Sequence, residues 1–410
     1  MYVIKVSSFN FQEKTDASEI TYWPTTDWLS STPEAQGMDS YKLNQIKFHI
    51  QNQSIAIHSV LVVRNGYIVL EEYFSQYSQD TLHPLYSVTK SFISTLISIT
   101  IQKGFINSLD QKLVDFFSEK SIANLDTRKK SITLENLLTM SSGLKWDEWT
   151  YPYYDSRNDN YKMVKSGDCV QYVLDQLMVN DPGVKFNYNS GVSHVLSAII
   201  QQTTECSTLN FAQKYLFTPL GISNVHWTRD QQGVYFGGGG LSLTSRDMAK
   251  LGYLYLNNGT WGNKSLISKE WVNKSTTGHI STQFNSNYGY QWWVLNSRGI
   301  YFASGIKGQN VIVFPKENVI VVFTADLQGV GFDLEYQLLQ DYVLPAVVNN
   351  STYFTTIIVP TEEEITSAAA TPTGTTSSTK SGNILGFEFL LTIMGLIQLF
   401  SIRKSNMKSK

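Results

Sequence analysis

Serine and lysine three residues apart stand one turn from each other on the same face of a helix. That spacing lets an amine take the proton of a hydroxyl, the chemistry of an activated serine nucleophile. The pattern S-x-x-K occurs six times in this chain, starting at Ser87, Ser142, Ser304, Ser377, Ser401 and Ser405. Three of these, Ser377, Ser401 and Ser405, lie in a polar tether or a basic tail; Ser142 runs into Gly143, and Ser304 borders a predicted strand. Only Ser87-Val88-Thr89-Lys90 opens a long apolar run, SFISTLISITIQKGF. A helix there sets the Ser87 hydroxyl at the positive end of the helix dipole. It holds Lys90 half-buried beneath, where desolvation favours the neutral amine. Ser87 is the candidate nucleophile and Lys90 the candidate base.

Other chemistries find no support. No G-x-S-x-G elbow is present. None of the six histidines begins H-E-x-x-H, and no Cys or His cluster has zinc spacing. Gly237–Gly240 is a run of four glycines without a following G-K-[ST], so it reads as a tight approach before a helix at Ser245, not as a phosphate loop. Cys169 and Cys206 are too few for a disulfide scaffold, and the sequence leaves open whether they pair. With 32 Lys+Arg against 34 Asp+Glu, the net charge of −2 argues against nucleic acid. No metal or cofactor is expected.

The elements that would position this pair alternate between strand and helix. Residues 59–74 form two β-rich runs joined by Asn65-Gly66, a hairpin signal. Residues 288–295, 310–314 and 319–324 read as three further strands, and residues 87–103, 134–140, 191–202 and 245–256 as helices. Strands at both ends around a helical middle predict an α+β fold: one antiparallel sheet built from both chain ends, flanked by helices, with an inserted, mainly helical lobe. Residues 145–163 place two Trp and four Tyr among polar residues. They form either surface packing or the wall of a substrate cleft, and on the second reading Trp146, Trp149 and Tyr154 contact substrate.

Of 410 residues, 42% are hydrophobic and 16% charged, which rules out disorder of the whole chain. The expected division is an N-terminal segment at 1–24, a large folded domain carrying the Ser87–Lys90 pair at 25–350, a Ser/Thr-rich linker at 351–383, a transmembrane helix at 384–402 and a basic tail at 403–410. The span is 19 residues long with a single charge, Glu388, close to the ~20 apolar residues that cross a bilayer. Arg403, Lys404, Lys408 and Lys410 just after it favour a cytoplasmic C-terminus and a domain outside the cytoplasm. The N-terminus shows no secretory signal pattern, which conflicts with that placement. Linker, span and basic tail together resemble archaeal C-terminal sorting tails, with Gly386-Phe387-Glu388 matching part of their signal and Leu385 where Pro is usual.

LYSVTKSF and its helix resemble the active-site opening of the serine β-lactamase and penicillin-binding-protein superfamily. The branch it is most similar to is the β-lactamase-related esterases and amidases, including the 6-aminohexanoate-dimer hydrolases. Pro182-Gly183-Val184-Lys185-Phe186-Asn187-Tyr188 matches the second motif of that branch, with Ser190 where penicillin-recognising members carry Asn. Gly305-Ile306-Lys307-Gly308-Gln309 resembles the third, which the resemblance puts on a sheet strand, with Ile306 in place of His or Lys. Strand alternation then turns Lys307 to the opposite face. Trp28, residues 33–38, 137–144, 239–241 and 246–250 match in the same order, so the resemblance spans residues 25–345. It implies catalysis through an acyl-enzyme by Ser87, Lys90 and Tyr188, with an oxyanion hole at the N–H groups of Ser87 and Gln309. Ser190, Ile306 and Gly308 would border the substrate. Without a cation at 306, an ester or small amide is the expected substrate. A D-alanyl-D-alanine peptidase or β-lactamase activity, or a non-catalytic binding protein on the same fold, is the alternative.

Overall fold

Asn65 and Gly66 both take up left-handed backbone, with φ of 52° and 86°, as the tight turn of a twisted hairpin requires. They join strand β1 (Ile57–Arg64) to β2 (Tyr67–Tyr73) in antiparallel register. The computed structural model describes residues 22–327 and 332–348. The remaining strands of the main sheet come from far downstream: β3 (Ile280–Ser281), β4 (Asn287–Tyr288), β5 (Trp293–Leu295), β6 (Ile300–Gly305), β7 (Gln309–Phe314) and β8 (Val319–Ala325). The eight strands run in the order β2-β1-β8-β7-β6-β5-β4-β3, every pair antiparallel. The sheet is therefore closed across its middle by β1 against β8, the two chain ends, as the sequence predicts.

Its central strands are buried along almost their whole length and largely apolar, because both faces are covered. Successive side chains point to opposite faces. Val60, Val62, Ile312, Phe314, Val321 and Phe323 pack beneath helix α1 (Ser40–Asn52) and the C-terminal helical segment. Leu61, Val63, Val311, Val313, Ile320 and Val322 face the inserted lobe. That lobe is organised around helix α2 (Thr89–Gln102), buried from Thr89 to Thr100, which accounts for its lack of a charged outer face. Helix α3 (Ser190–Thr204) packs on it, and helix α4 (Ser245–Leu256) lies against the sheet.

The sequence reading needs two adjustments here. Residues 288–295 are not one strand: Gln291 has φ 61° and breaks the run into β4 and β5. The reason is polar. The buried Gln291 side chain accepts from Ser193 Oγ at 2.6 Å and donates to the carbonyls of Leu137 and Leu138, while the Gln291 backbone carbonyl accepts from Ser91 Oγ at 2.7 Å. One left-handed residue thus ties the sheet edge to the helices that carry the candidate site. Strand β6 and helix α1, both absent from the sequence reading, complete the sheet and cover its second face. The predicted span at 384–402 lies outside the described residues, among which no helix is long and apolar enough to cross a membrane.

Candidate active site

Ser87 sits in a short turn, Tyr86–Val88, that leads directly into α2. Tyr86 before it has φ 46°, an uncommon conformation for a bulky residue and one that tends to cluster at functional sites. From one side the end of β6 presses in. A Cβ on Gly305 would lie 2.4 Å from the Leu85 carbonyl and 3.1 Å from the Ser87 nitrogen, so this approach requires glycine.

Lys90 is 1% exposed. Its Nζ donates to Ser87 Oγ at 2.9 Å, to Ser190 Oγ at 3.0 Å and to the Gly238 carbonyl at 2.7 Å. Burial lowers its pKa to about 8, against the opposing pull of the Glu148 charge. Its amine is thus a base poised close to neutral pH.

Tyr188 closes the other side, with its ring centroid 4.8 Å from Lys90 Nζ. The turn at residues 139–144 holds it in place. Asn187 N–H donates to the Met140 carbonyl at 2.8 Å, and Asn189 caps α3 by accepting from Val192 N–H at 3.0 Å. Trp293 stacks on its ring at 5.7 Å, and Trp149 lies at 5.2 Å. Burial holds the Tyr188 phenol well above its ordinary range; Glu148 adds to this, and a hydrogen bond with Ser87 opposes it. At neutral pH it is held in its protonated form.

Two features of this site were not assigned to it from the sequence. The glycine run supplies its floor: a Cβ on Gly237 would lie 2.0 Å from the Ser193 carbonyl, and one on Gly238 2.6 Å from that of Ser190. Only bare backbone fits against α3 there, and this brings the Gly238 carbonyl to Lys90. The second is Glu148, 1% exposed within the aromatic loop. Its Oε2 accepts from Ser190 N–H at 2.8 Å and the Trp146 indole at 2.6 Å; its Oε1 accepts from Ser190 Oγ at 2.8 Å and the Tyr153 hydroxyl at 2.9 Å. A donor-only indole beside an acid in an otherwise aromatic stretch was the available signal.

The other predicted residues are dispersed around this centre. Trp146 is buried with its indole on Glu148, so its contact is with the site's support. Trp149, 38% exposed, lies over Tyr188 and beside Phe284 at 5.3 Å. Tyr154 is 83% exposed on the outside of the loop. Ile306, Lys307 and Gly308 form the turn between β6 and β7, where a strand had been expected, with Lys307 at φ 67° and Gly308 at φ 88°. Lys307 therefore escapes strand alternation altogether and pairs with Asp326 at 2.7 Å. Gln309 pairs with Gly305 across the hairpin, and its side chain donates to the Ala325 carbonyl at 2.6 Å.

Among the described residues, one group offers metal-type ligands: Cys169, His194 and Asp230, within 4.8 Å of one another. His194 Nε2 bonds Asp230 at 3.0 Å, and Cys169 Sγ donates to the Met163 carbonyl at 3.3 Å. Burial pushes the Cys169 thiol up to about 12, and both cysteines are free.

An antiparallel sheet closed by the two chain ends, with a Ser–Lys pair where a buried helix meets its edge, defines the serine β-lactamase-like class of fold. The chain belongs to the β-lactamase family, whose profile matches residues 46–342. Among curated relatives, the 6-aminohexanoate-dimer hydrolase of Paenarthrobacter ureafaciens is 26% identical over 284 residues, covering 64% of this chain and 70% of that one. A solved structure from Bacillus anthracis, described as a candidate 6-aminohexanoate-dimer hydrolase, superimposes with a TM-score of 0.67 at 21% identity, over 79% of this chain and 88% of that one. A family VIII carboxylesterase superimposes with a TM-score of 0.62 at 13% identity, over 77% and 98%. This is a β-lactamase-fold protein of a hydrolase family, related to the 6-aminohexanoate-dimer hydrolases.

Proposed function

We propose that the protein is a serine hydrolase that cleaves an ester or small amide through an acyl-enzyme. The observation that carries this reading is Lys90 Nζ at 2.9 Å from Ser87 Oγ, with the amine 1% exposed. Neutral Lys90 takes the Ser87 proton as Oγ bonds to the substrate carbonyl carbon. Collapse of the tetrahedral adduct breaks the bond to the leaving group, which receives a proton through Tyr188. Water then attacks the acyl carbon, gives a proton to the same pair, and frees Ser87. The oxyanion is met by the Ser87 N–H and by an N–H of the Gly305–Gln309 hairpin, for which Gln309 is the proposed donor; such donors contribute about 10²–10³ in rate.

Ile306 in the turn and the engagement of Lys307 with Asp326 support a substrate without a carboxylate beside the scissile bond. Trp149 over Tyr188 supports an apolar acyl or leaving group. We further propose that residues 384–402 anchor the enzyme in a bilayer with the hydrolase domain outside the cytoplasm, supported by the composition of that span and the basic residues after it. Turnover of short p-nitrophenyl esters tests the chemistry. Wild type hydrolyses them and Ser87→Ala does not; turnover retained by Ser87→Ala removes Ser87 from the mechanism.

A further inference from the structure

We propose that Glu148 is a positioning residue for this hydrolysis: through Ser190 it fixes which way the Lys90 lone pair points and sets the pH at which Ser87 is activated. The inference rests on the serine-hydrolase reading and deepens it.

Glu148 is buried, and the four hydrogen bonds it accepts, from Ser190 N–H, Ser190 Oγ, Trp146 and Tyr153, come from neutral donors. Both carboxylate oxygens are thereby engaged as acceptors only. The Ser190 hydroxyl has a single proton. With that proton committed to Glu148 Oε1 at 2.8 Å, Ser190 turns a lone pair toward Lys90, 3.0 Å away. The Gly238 carbonyl, at 2.7 Å, is likewise an acceptor only.

Of the three polar neighbours of Lys90, two therefore demand a proton from it in either charge state. When Lys90 becomes a neutral amine it keeps two protons for Ser190 and Gly238. Its lone pair is left facing Ser87 Oγ, the one neighbour able to donate. Were Glu148 neutral and able to donate, the Ser190 hydroxyl could turn and cap the lone pair, and the base would be blocked.

Charge acts in the same place. The titratable groups around Lys90 are Tyr188 and Glu148, with Tyr153 and Tyr288 behind them. Burial keeps all three phenols in their neutral form. Glu148 is thus the negative charge that offsets desolvation of the Lys90 ammonium.

The test is the pH profile of kcat/KM for wild type, Glu148→Gln and Tyr153→Phe, together with the 13Cε shift of Lys90 in lysine-labelled protein. Glu148→Gln lowers kcat at least about tenfold with little change in KM, as expected for a misdirected base. It moves the acid limb and the Lys90 midpoint down by about one pH unit. Tyr153→Phe strips one donor from the carboxylate, leaves its charge less compensated, and moves both upward. It also decides the matter if the glutamine variant does not fold. In a double-mutant cycle, Ser190→Ala and Glu148→Gln are non-additive in kcat, because one acts through the other. An unmoved Lys90 midpoint in folded Glu148→Gln, or in Tyr153→Phe where the glutamine variant is unfolded, overturns the proposal, as does additivity in the cycle. The NMR titration needs no turnover. A shifted midpoint in a wild-type protein that is inert to esters would reject the hydrolase reading and leave the Glu148–Lys90 coupling standing.

Discussion

In the proposed mechanism Lys90 owes its reactivity to where it is held. An exposed lysine ionises near 10.5, and burial brings this one to about 8. The base must be neutral to act, so kcat/KM should rise with pH and level off above about pH 8. At pH 6 it should be about a hundredfold below the plateau. A limb near 10 in the pH-rate profile would mean a solvated ammonium, and one near 6 would point to a different base. Lys90→Ala should lose about 10²–10⁴ in kcat with KM nearly unchanged. At this scale the sequence was informative: one S-x-x-K among six had a buried helix behind it, and the setting of Tyr188 marked it out. Glu148 was not legible. Trp146 and Tyr153 stand beside it in the same loop, but its link to Lys90 runs through Ser190, 42 residues further along the chain, and no local spacing encodes that convergence.

The elements work by close backbone approach. Gly238 and Gly239 make the contrast plain. A Cβ on Gly238 would lie 2.6 Å from the Ser190 carbonyl, whereas one on Gly239 would meet nothing nearer than 3.9 Å. Gly238→Ala should push the Gly238 carbonyl off Lys90, cost about 1–3 kcal/mol, and lower both Tm and kcat. Gly239→Ala should be close to wild type in both. Equal effects in thermal melts and ester assays would mean that the glycine run does not form this floor. The hairpin at Asn65-Gly66, helix α4 and the late strands were readable because turn chemistry and apolar periodicity are local. The break at Gln291 was not, since its cause is a set of long-range hydrogen bonds to Leu137, Leu138 and Ser193. The turn at 306–308 likewise hid behind residues that fit a strand.

For the whole molecule, the sheet closed by β1 and β8 joins the hairpin ahead of Ser87 to the late strands β6 and β7 that border the site. Trp28 and Arg246 reinforce the closure. The Trp28 indole donates to the Arg246 carbonyl at 3.0 Å, and Arg246 grips Glu71 with two bonds of 2.7 Å. Sequence order alone had pointed to one domain assembled from both ends, and the motifs between residues 25 and 345 follow that order. The tail is a separate matter of composition. If residues 384–402 anchor the chain, the full-length protein should sediment with membranes, and a form ending at residue 358 should be released with its ester turnover intact. Full-length protein found wholly in the soluble fraction would contradict the anchor without touching the chemistry.

That chemistry is tested most directly by trapping the nucleophile. Intact-mass spectrometry of the protein treated with a fluorophosphonate probe should show one adduct, mapped by peptide digestion to Ser87. It should be absent from Ser87→Ala and should form much more slowly in Tyr188→Phe. An adduct on another residue, or none on folded wild-type protein, would contradict the acyl-enzyme account.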